Sequence, residues 1–542
     1  MKSCKIKVFL SGVVNSTNAQ NLNCRALMKY LDPEKFEVRA LAVYSGNLDL
    51  PDGTPRRVGK SRLANAFYAT PKAFYPVRYP AKIWHAIQLV RGILWSDVAY
   101  LCKPEHWKLQ RFFCRLFGKR SFKTVEASLI GTNIDNALRA FGSQTEICEF
   151  DSYTGSTYAI SRWMRLANER FCGVKTKPEP LYIGVDSRQF VDDVVPARLT
   201  SVVMIGSNLF YKGIEDYFAL ANVCPNLTFH VVGSGLGKID PAEEIRKRGL
   251  KNVIAHGSLS HEKLAELLKS VQLHVFPSKA EGFGKVTFET AAAGVPSVVY
   301  GCYGAREWID SWHNGIVVDS FDEMASAVQR LAGDSELLRA LSSEARKLAE
   351  AWDWKNKIGP WARAIEDVFN GAPLRRRDAW LDVCEALRKF AWMIVGGARR
   401  FCWTKYDYYC SAGSGDYSDP QFCRLTTWEA FREFVLARGG ALYDWQIRRF
   451  EEGHASFVCL ADKTSLWVGG WEMNDEGGRR LYDFVTVPEE RRKGYYTRLL
   501  RHLRAEGDCY IYVRPCNEAS VKAIRRAGFE KFTSRLVNGR RA

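Results

Sequence analysis

The sequence lacks an apolar run long enough to cross a membrane. A membrane-spanning helix needs about 20 apolar residues, and the longest candidate, FAWMIV at 390–395, is far shorter. The first residues, MKSCKIKVFLSGVVNS, are similar to a signal peptide, but Ser11 and Gly12 interrupt their apolar run. We therefore expect a first β-strand there and a cytoplasmic protein.

The cysteines lack a metal-binding pattern. The chain has 15 of them and no C-x-x-C pair. Cys402, Cys410 and Cys423 do not have the spacing of zinc ligands. Scattered cysteines are typical of a reducing compartment. The sequence therefore predicts no metal site, and the cysteine usage agrees with a cytoplasmic location.

Acidic residues are missing from Gly53 to Ser96, in a chain whose formal net charge is +18. The cations of this stretch are Arg56, Arg57, Lys60, Arg62, Lys72, Arg78, Lys82 and Arg91, and its aromatic residues include Phe67, Tyr68, Phe74, Tyr75, Tyr79, Trp84 and Trp95. The same composition continues through residues 103–123. Such a mixture suits an anionic membrane surface, single-stranded nucleic acid, or a solvated basic face above core aromatic residues.

Two series of short apolar runs alternate with helical patterns between residues 5 and about 370. The predicted strands are residues 7–12, 38–44, 97–102, 123–128 and 146–150 in the first series, and 201–206, 227–233, 252–257, 272–278 and 296–300 in the second. This alternation predicts α/β structure with two doubly wound, Rossmann-like domains. Ligands of such domains bind beyond the carboxyl ends of the strands.

The pattern changes after Pro373. A basic helical stretch at 378–400 precedes an α+β region that has strands and helices up to residue 529. A length of 542 residues predicts roughly three domains. The predicted boundaries are 1–195, 196–372, a linker at 373–412, and 413–542.

The segment EGFGKVTFE holds Glu281 and Glu289 on either side of a glycine-rich loop and a helix start. Free amides at such a loop and the helix dipole favour phosphate. A carboxylate beside a phosphate is repelled, so Glu289 is expected to bind hydroxyl groups such as a ribose diol. Glu281 would meet the group beyond the phosphates. The alternative is that both are ordinary helix-start and surface charges.

Several motifs of residues 1 to about 370 resemble glycosyltransferase family 4, whose fold is the two-domain GT-B architecture. They are PSKAEGFGKVTFETAAAGVPSVV (277–299), VVMIGSNLFYKGIEDYF (202–218), VVGSGLGK (231–238), LYIGVDSRQF (181–190) and GCYGAREWIDSWHNGIVVD (301–319). The resemblance implies retaining sugar transfer from a UDP- or GDP-sugar without an obligatory metal.

The resemblance also implies residue roles. Glu281 would contact the donor sugar at the reacting centre, and Glu289 would hold the ribose. Lys212 and the loop from Gly282 through Phe283 to Gly284 would neutralise the leaving diphosphate.

The chain departs from the family pattern at three places. Ser207 stands where the family often has arginine, and Lys285 is a candidate replacement. The first loop is poorer in glycine than usual, although Gly12 still allows close backbone approach. Glu126 stands where a histidine is common and is a second catalytic candidate. The alternative for Glu126 is a strand-end carboxylate paired with Lys123.

Residues 400–542 resemble the GNAT acetyltransferase superfamily. LYDFVTVPEERRKGYYTRLLRHL (481–503) is similar to its acetyl-CoA-binding motif, and NEASVKAIRRAGFEKF (517–532) to its late helix and strand. The implied acetyl-CoA contacts are Val485, Val487, Arg491, Arg492, Lys493, Gly494, Tyr495, Tyr496 and Asn517. Tyr496 replaces a small residue, and Ile524 replaces the usual tyrosine acid.

The leading hypothesis is a glycosyltransferase fused to an N-acyltransferase that acts on an amino sugar. It would build a surface polysaccharide or lipopolysaccharide on a glycan or lipid-linked acceptor, at the inner face of the cell membrane. One alternative is an acetyltransferase whose GT-B half only binds glycan or nucleotide. Another is a nucleic-acid-binding protein, which needs no carboxylate pair such as Glu281 and Glu289.

Overall fold

The computed structural model describes most of the chain, in two compact units. The described residues are 5–14, 19–43, 47–49, 55–57, 73–77, 82–127, 129, 132–186, 188–191, 195–235, 238–279, 281–387, 403–413, 415, 417–453, 455–475 and 478–538. Unit 1 contains Met1–Ile134 and Cys148–Asp382, and unit 2 contains Asp135–Ile147 and Val383–Ala542.

The first sheet of unit 1 is parallel and six-stranded. The strands of this region are β1 (Ile6–Val13), β2 (Phe36–Val43), β3 (Asn47–Asp49), β4 (Pro55–Arg57), β5 (Ala73–Val77), β6 (Val98–Tyr100), β7 (Arg120–Val125) and β8 (Ser156–Ala159). The order in the sheet is β5-β2-β1-β6-β7-β8, and β3 pairs separately with β4. The chain reverses direction across the sheet between β1 and β6, and a ligand crevice is expected at that point.

The second sheet of unit 1 repeats this topology. Its strands are β9 (Ser201–Ser207), β10 (Thr228–Ser234), β11 (Val253–Gly257), β12 (Leu273–Phe276), β13 (Ser297–Tyr300) and β14 (Ile316–Val318). They are parallel and lie in the order β11-β10-β9-β12-β13-β14. The reversal between β9 and β12 places the loop after β9 beside the loop after β12.

Helices cover both parallel sheets. In chain order, the helices up to residue 370 are α1 (Ala19–Tyr30), α2 (Lys82–Trp95), α3 (Trp107–Leu116), α4 (Thr132–Phe141), α5 (Gln144–Ser152), α6 (Arg162–Cys172), α7 (Ile214–Val223), α8 (Pro241–Arg248), α9 (His261–Leu268), α10 (Val286–Ala292), α11 (Phe321–Gly333), α12 (Ser335–Ala351) and α13 (Trp354–Asn370). Of these, α4 from Asp135 onward and α5 up to Ile147 belong to unit 2. Side chains alternate along β9, so Val202 and Met204 enter one apolar cluster and Val203 and Ile205 another. The prediction of two Rossmann-like domains is therefore confirmed.

Helix α13 returns from the second sheet to the first. Its Trp361 is fully buried, donates from Nε1 to the Tyr182 carbonyl at 2.9 Å, and packs edge-on against Tyr100 with 5.5 Å between ring centroids. This helix therefore fastens the two halves of unit 1 together.

The strand predicted at 146–150 is wrong, because this segment is part of helix α5. Ile147 and Phe150 are both buried, and residues three positions apart share a helix face but lie on opposite faces of a strand. The last strand of the first sheet is β8 instead.

Unit 2 is an α+β body around a seven-stranded mixed sheet. Its strands are β15 (Trp403–Ser411), β16 (Phe422–Leu425), β17 (Ala455–Ala461), β18 (Leu466–Asp475), β19 (Gly478–Thr486), β20 (Cys509–Val513) and β21 (Glu530–Asn538). Its sheet order is β16-β17-β18-β19-β20-β15-β21. Its helices include α14 (Trp428–Ala437), α15 (Asp444–Glu451), α16 (Tyr495–Ala505) and α17 (Glu518–Arg526). The neighbours β19 and β20 are parallel.

The sheet of unit 2 begins before the predicted boundary at 413. Strand β15 lies in the range predicted as a linker, yet it pairs with β20 and with β21. Segment 135–147 also belongs to this unit, and Asp135 accepts a 2.6 Å hydrogen bond from Trp428 Nε1. The predicted helix at 378–400 is described only up to residue 387.

About half of the basic stretch between Gly53 and Ser96 falls outside the described residues. This applies to Lys60, Arg62, Phe67, Tyr68, Lys72, Arg78 and Tyr79. Trp84, exposed, lies on α2 in the described part of the stretch. None of the helices in the described ranges is long and apolar enough to cross a membrane.

Candidate active site

A cavity of about 550 Å³ in unit 1 collects most of the residues proposed to bind a nucleotide-sugar. Its walls include Glu126, Lys212, Glu281, Gly282, Phe283, Gly284, Lys285 and Glu289. Glu126 follows the first sheet, while the others belong to the second sheet and its loops. The cavity therefore lies where the carboxyl ends of the strands in both halves face each other.

Two glycines let the second sheet open into this cavity. Gly206 near the end of β9 and Gly233 near the end of β10 both line it. Gly233 has φ +127°, and a Cβ there would lie 1.7 Å from the Gly206 carbonyl oxygen. Any side chain at Gly233 would therefore force the two strand ends apart. The backbone is exposed to a ligand at this point.

Lys212 and Glu281 form an ion pair at the cavity wall. The carboxylate also accepts a 2.7 Å hydrogen bond from Ser278 Oγ, and its side chain is only 9% exposed, against 24% for Lys212. The loop that carries Lys212 is held by Gly213, where a Cβ would lie 2.1 Å from the Pro277 carbonyl oxygen. A fixed cation beside a fixed carboxylate suits a ligand with both phosphates and hydroxyls.

The loop at Glu281–Gly284 touches the other half of unit 1. A Cβ on Gly282 would lie 2.2 Å from the Glu126 carbonyl oxygen, so a larger residue would push the loop and the Glu126 segment apart. Phe283 lines the cavity, and its buried ring packs against Trp308 at 4.8 Å between centroids. The aromatic contact anchors the loop, so the glycines can approach a ligand.

Lys285 and Glu289 lie at opposite ends of the first turn of α10. Lys285 Nζ donates to Asn23 Oδ1 at 2.6 Å. Burial lowers the pKa of Lys285 to about 8, against the attraction of Glu126 and Glu289. Burial raises the pKa of Glu289, although His261 and Lys285 oppose the shift. Within the described residues, the Glu289 carboxylate accepts no hydrogen bond, so it is available to ligand hydroxyls.

Glu126 is held by three side chains of the first half. Asn23 Nδ2 donates to Oε2 at 3.1 Å, while Tyr100 and Thr124 donate to Oε1 at 3.0 and 2.8 Å. The alternative pairing with Lys123 is wrong, because the Lys123 ammonium instead binds Asp151 Oδ1 at 2.7 Å. Glu126 is therefore a fixed carboxylate at the cavity.

Gly12 was predicted to be a site residue, but it is not among the described residues that line the cavity. It is packed on helix α1, where a Cβ would lie 2.5 Å from Cys24 Sγ. The close approach at Gly12 is therefore to that helix.

The prediction missed Ser258, Leu259, His261 and Leu264, which line the cavity beside Glu289. They follow strand β11, and the rule that ligands bind at the carboxyl ends of strands was the signal that could have found them.

The predicted acetyl-CoA residues gather around strand β19 in unit 2. This strand pairs with β20 at only two positions, Arg480↔Tyr510 and Leu481↔Ile511. Asp483 has φ +52°, beside a bulge where the register with β18 shifts between Gly469 and Trp471. A bulge bends its strand, and among the described residues β19 pairs with β20 no further than Leu481. Val485 and Thr486 remain paired with β18 on the other side, so only the edge of β19 that faces β20 is open there.

The loop after β19 leads into helix α16 with several exposed cations. Arg491, Arg492 and Lys493 are exposed, and Lys493 binds Glu490 at 2.8 Å. Gly494 forms the N-cap of α16 with φ +82°. Val487 N donates to the Trp467 carbonyl at 3.0 Å, which ties the start of this loop to β18.

The aromatic residues of this motif pack into unit 2. Tyr495 stacks on Trp467 at 4.6 Å between ring centroids, and Tyr496 packs against Phe484 at 5.6 Å. Asn517 caps α17 by accepting a 3.3 Å hydrogen bond from Ser520 N. The loop and the open strand edges form a second, separate candidate site.

Comparisons of sequence place the second half of unit 1 near known glycosyltransferases. Residues 192–348 match the family model described as "Glycosyl transferases group 1". The alpha-D-kanosaminyltransferase of Streptomyces kanamyceticus is 32% identical over 157 residues, which are 28% of this chain and 41% of that protein. The poly(glycerol-phosphate) alpha-glucosyltransferase of Bacillus subtilis is 26% identical over 194 residues, 35% of this chain and 28% of that protein. The chain thus spans less than half the length of either relative.

Comparisons of structure agree on the fold. Sucrose-phosphate synthase from Thermosynechococcus elongatus superposes with a TM-score of 0.53 at 17% identity, covering 68% of this chain and 100% of that chain. HepE of Anabaena in complex with UDP superposes with a TM-score of 0.52 at 17% identity, covering 67% of this chain and 100% of that chain. The two-sheet architecture of unit 1 is therefore the fold of these two solved structures, and residues 192–348 are similar to the group 1 glycosyl transferases.

Proposed function

We propose that unit 1 is a retaining glycosyltransferase that uses a nucleotide-diphospho-sugar. One observation carries the proposal: a single cavity brings the cation Lys212 together with the carboxylates of Glu281 and Glu289 and the glycine-rich loop between them. These groups match the parts of such a donor. Glu289 offers a carboxylate for the ribose, Lys212 a cation for the diphosphate, and Glu281 a carboxylate for the sugar.

Lys212 and Lys285 supply the positive charge for the diphosphate. Sugar transfer leaves negative charge on the departing nucleotide, and fixed cations stabilise that charge in the transition state. Ser207, where an arginine is common in the resembling family, also lines the cavity. The ammonium of Lys285 lies in the same cavity and can take over this task.

Glu289 is assigned to the ribose. Its carboxylate is available for hydroxyl donors, and burial raises its pKa. A buried carboxylate that lacks donors is costly, and two ribose hydroxyls would remove that cost on binding. UDP-sugars are the first donors to test, because structures of the HepE fold relative contain UDP and UDP-glucose.

Glu281 and Glu126 are assigned to the reacting centre. Glu281 is fixed by Lys212 and Ser278, which suits a carboxylate that positions the donor sugar. Glu126 comes from the opposite wall and can interact with the acceptor hydroxyl. A group that takes its proton must lie within hydrogen-bond reach of it.

The acceptor proposed is a glycan or a lipid-linked sugar in the synthesis of a surface polysaccharide or lipopolysaccharide. One relative is named as a poly(glycerol-phosphate) glucosyltransferase, which supports a polymer acceptor. The basic, aromatic stretch at 53–96 supports work at the inner face of an anionic membrane. Nucleic acid is not the proposed partner, since the carboxylates of the cavity would repel it.

A thermal-shift screen of UDP- and GDP-sugars tests the donor site. A ligand at 100 times its dissociation constant adds about 2.7 kcal/mol of stability, so a true donor raises the melting temperature. The product of the active donor is then examined by NMR. Retention of the anomeric configuration supports the mechanism, whereas inversion, or a screen without any stabilising sugar nucleotide, contradicts the proposal.

A second activity is proposed for unit 2, namely N-acetylation of an amino sugar with acetyl-CoA. The observation that favours it is the divergence of β19 from β20 after two paired positions. Open strand edges can hydrogen-bond the amide-containing arm of the cofactor, and Arg491 and Arg492 with the Gly494 loop suit its pyrophosphate.

Calorimetry with acetyl-CoA tests this second site. We expect binding by the full chain and a loss of at least tenfold in affinity for the double variant Arg491→Ala, Arg492→Ala. Arg448→Ala is the matched control, because Arg448 is an exposed arginine of unit 2 that pairs with Asp444 within helix α15, away from the Gly494 loop in sequence. Equal affinity of all three proteins would remove the cofactor assignment.

A further inference from the structure

Asn23 on helix α1 touches two of the proposed functional groups at once. Its Nδ2 donates to Glu126 Oε2 at 3.1 Å, and its Oδ1 accepts from Lys285 Nζ at 2.6 Å. Glu126 follows the first sheet and Lys285 precedes a helix of the second. A single amide therefore connects the two walls of the cavity.

The side chain of Asn23 is suited to this bridge by its chemistry. An amide has a donor and an acceptor, so it can satisfy a carboxylate on one side and an ammonium on the other. Asn23 is fully buried, which restricts its amide to these partners and makes a lost partner expensive.

We propose that Asn23 is a positioning residue that holds Glu126 and Lys285 in fixed places across the cavity. It acts through these groups without touching the reacting atoms. The proposal rests on the proposed glycosyltransferase function, since that function gives the two groups their tasks. Neither the motifs of the sequence nor the family match at 192–348 includes this residue.

The bridge affects the charge of Lys285. A hydrogen-bond acceptor at the ammonium favours its charged form. Within the described part of the chain, Glu126, Glu289 and Cys24 are titratable groups that also act on this ammonium. Burial raises the pKa of the Cys24 thiol, so it is neutral near pH 7. Removing the Asn23 carbonyl should therefore lower the pH at which Lys285 loses its proton.

Trace labelling of amines measures the pH at which Lys285 loses its proton, and it needs no sugar-nucleotide donor. The protein reacts with isotopic acetic anhydride at a series of pH values, and mass spectrometry reports the rate at Lys285. The wild-type midpoint is expected at about 8. Asn23→Leu should lower it by about one to two pH units, because hydrogen bonds to charged groups are of that strength. Asn23→Asp should raise it by adding a negative charge.

Asn21→Leu is the matched control. Asn21 is a buried asparagine on the same helix, but its Oδ1 accepts from Val13 N at 3.0 Å. In Asn21→Leu, the labelling midpoint of Lys285 should equal that of the wild type. If Asn23→Leu does not fold, the labelling midpoint of Asn23→Asp, whose side chain has a similar size, tests the proposal by itself.

The two possible failures are distinguishable. Wild-type midpoints in both Asn23→Leu and Asn23→Asp overturn the positioning role, whether or not a donor is known. Opposite shifts in the two variants support it. UDP affinity is then measured against pH, and its loss on the alkaline side should move with the labelling midpoint. If the labelling shifts are observed but the protein binds no sugar nucleotide, the positioning role of Asn23 is supported and the glycosyltransferase assignment is contradicted.

Discussion

Lys212 and Glu281 form an ion pair that joins the loop after β9 to the loop after β12. The lysine belongs to the loop after β9, and the glutamate belongs to the loop after β12, the neighbouring strand in the sheet. Because Glu281 is also held by Ser278, the carboxylate stays in place when a ligand attracts the lysine. In the proposed donor complex, a diphosphate would therefore recruit the Lys212 cation while the Glu281 carboxylate would stay directed at the sugar.

Substitutions of this pair should separate binding from turnover. Lys212→Ala is expected to weaken UDP binding at least tenfold, because a charge-assisted hydrogen bond to phosphate is lost. Glu281→Gln should preserve UDP affinity within about threefold and lower kcat by about a hundredfold or more, the scale of a lost transition-state contact. Calorimetry measures the UDP affinity, and the rate of nucleotide release during turnover measures kcat. Lys279→Ala is the control, since that exposed lysine pairs with Asp216; a loss as large as that of Lys212→Ala would contradict the assignment.

Glu289→Gln should weaken nucleotide binding and stabilise the free protein. Burial raises the Glu289 pKa, so the folded state binds its proton more tightly than the unfolded state does. The charged carboxylate therefore costs stability above its folded pKa, and that cost disappears below the unfolded value of about 4.3. The variant should melt at a higher temperature than the wild type at pH 7 and at nearly the same temperature at pH 4.

The ribose assignment has its own measurement. Affinities for UDP and for its 2′,3′-dideoxy analogue are compared in the wild type and in Glu289→Gln. The wild type should prefer UDP by about tenfold or more, and the variant should lose most of this preference. An unchanged preference would remove Glu289 from the ribose.

The sequence could predict the donor side of the cavity because its residues are close along the chain. Glu281, Lys285 and Glu289 occupy one loop and one short helix, where spacing alone fixes their relative positions. Lys212 was predicted from the family resemblance of residues 202–218. The structure brings its loop to the loop of Glu281 because β9 and β12 are adjacent in the sheet.

Other contacts of the cavity and parts of the fold could not be predicted in the same way. Asn23 meets Lys285 across 262 positions of sequence, and no local pattern marks that contact. His261 begins an ordinary amphipathic helix and enters the cavity only because β11 joins the sheet edge. Segment 146–150 was mistaken for a strand because short apolar runs fit both periods. Tertiary packing decides these cases.

Gly282→Ala should impair turnover through the contact between the two halves of unit 1. The added methyl would lie 2.2 Å from the Glu126 carbonyl oxygen, so the loop or the Glu126 segment must move. We expect kcat to fall by at least tenfold, because small displacements of catalytic groups are costly. Gly333→Ala is the matched control, since its methyl meets nothing within 4 Å. Equal kcat values for the two variants would show that the contact is unimportant.

His274 should make the protein sensitive to acid. It is fully buried on β12, its Nδ1 lies 2.8 Å from Ser297 Oγ, and its Nε2 has no described partner. Burial lowers its pKa to about 3. The unfolded chain therefore takes up a proton below about pH 6.5 that the folded chain refuses, and stability falls as the pH drops toward 3. This difference corresponds to roughly 5 kcal/mol at the acid end.

His274→Leu removes that proton-binding difference, so its melting temperature should fall less steeply than that of the wild type between pH 6.5 and 4. Calorimetric scans of the full chain over this range provide the measurement. His313→Leu is the control, because the side chain of His313 is 59% exposed, and it should keep the wild-type slope. A wild-type slope in His274→Leu as well would mean that other buried groups determine acid unfolding. The comparison thus assigns the acid response to one side chain beneath the proposed donor site.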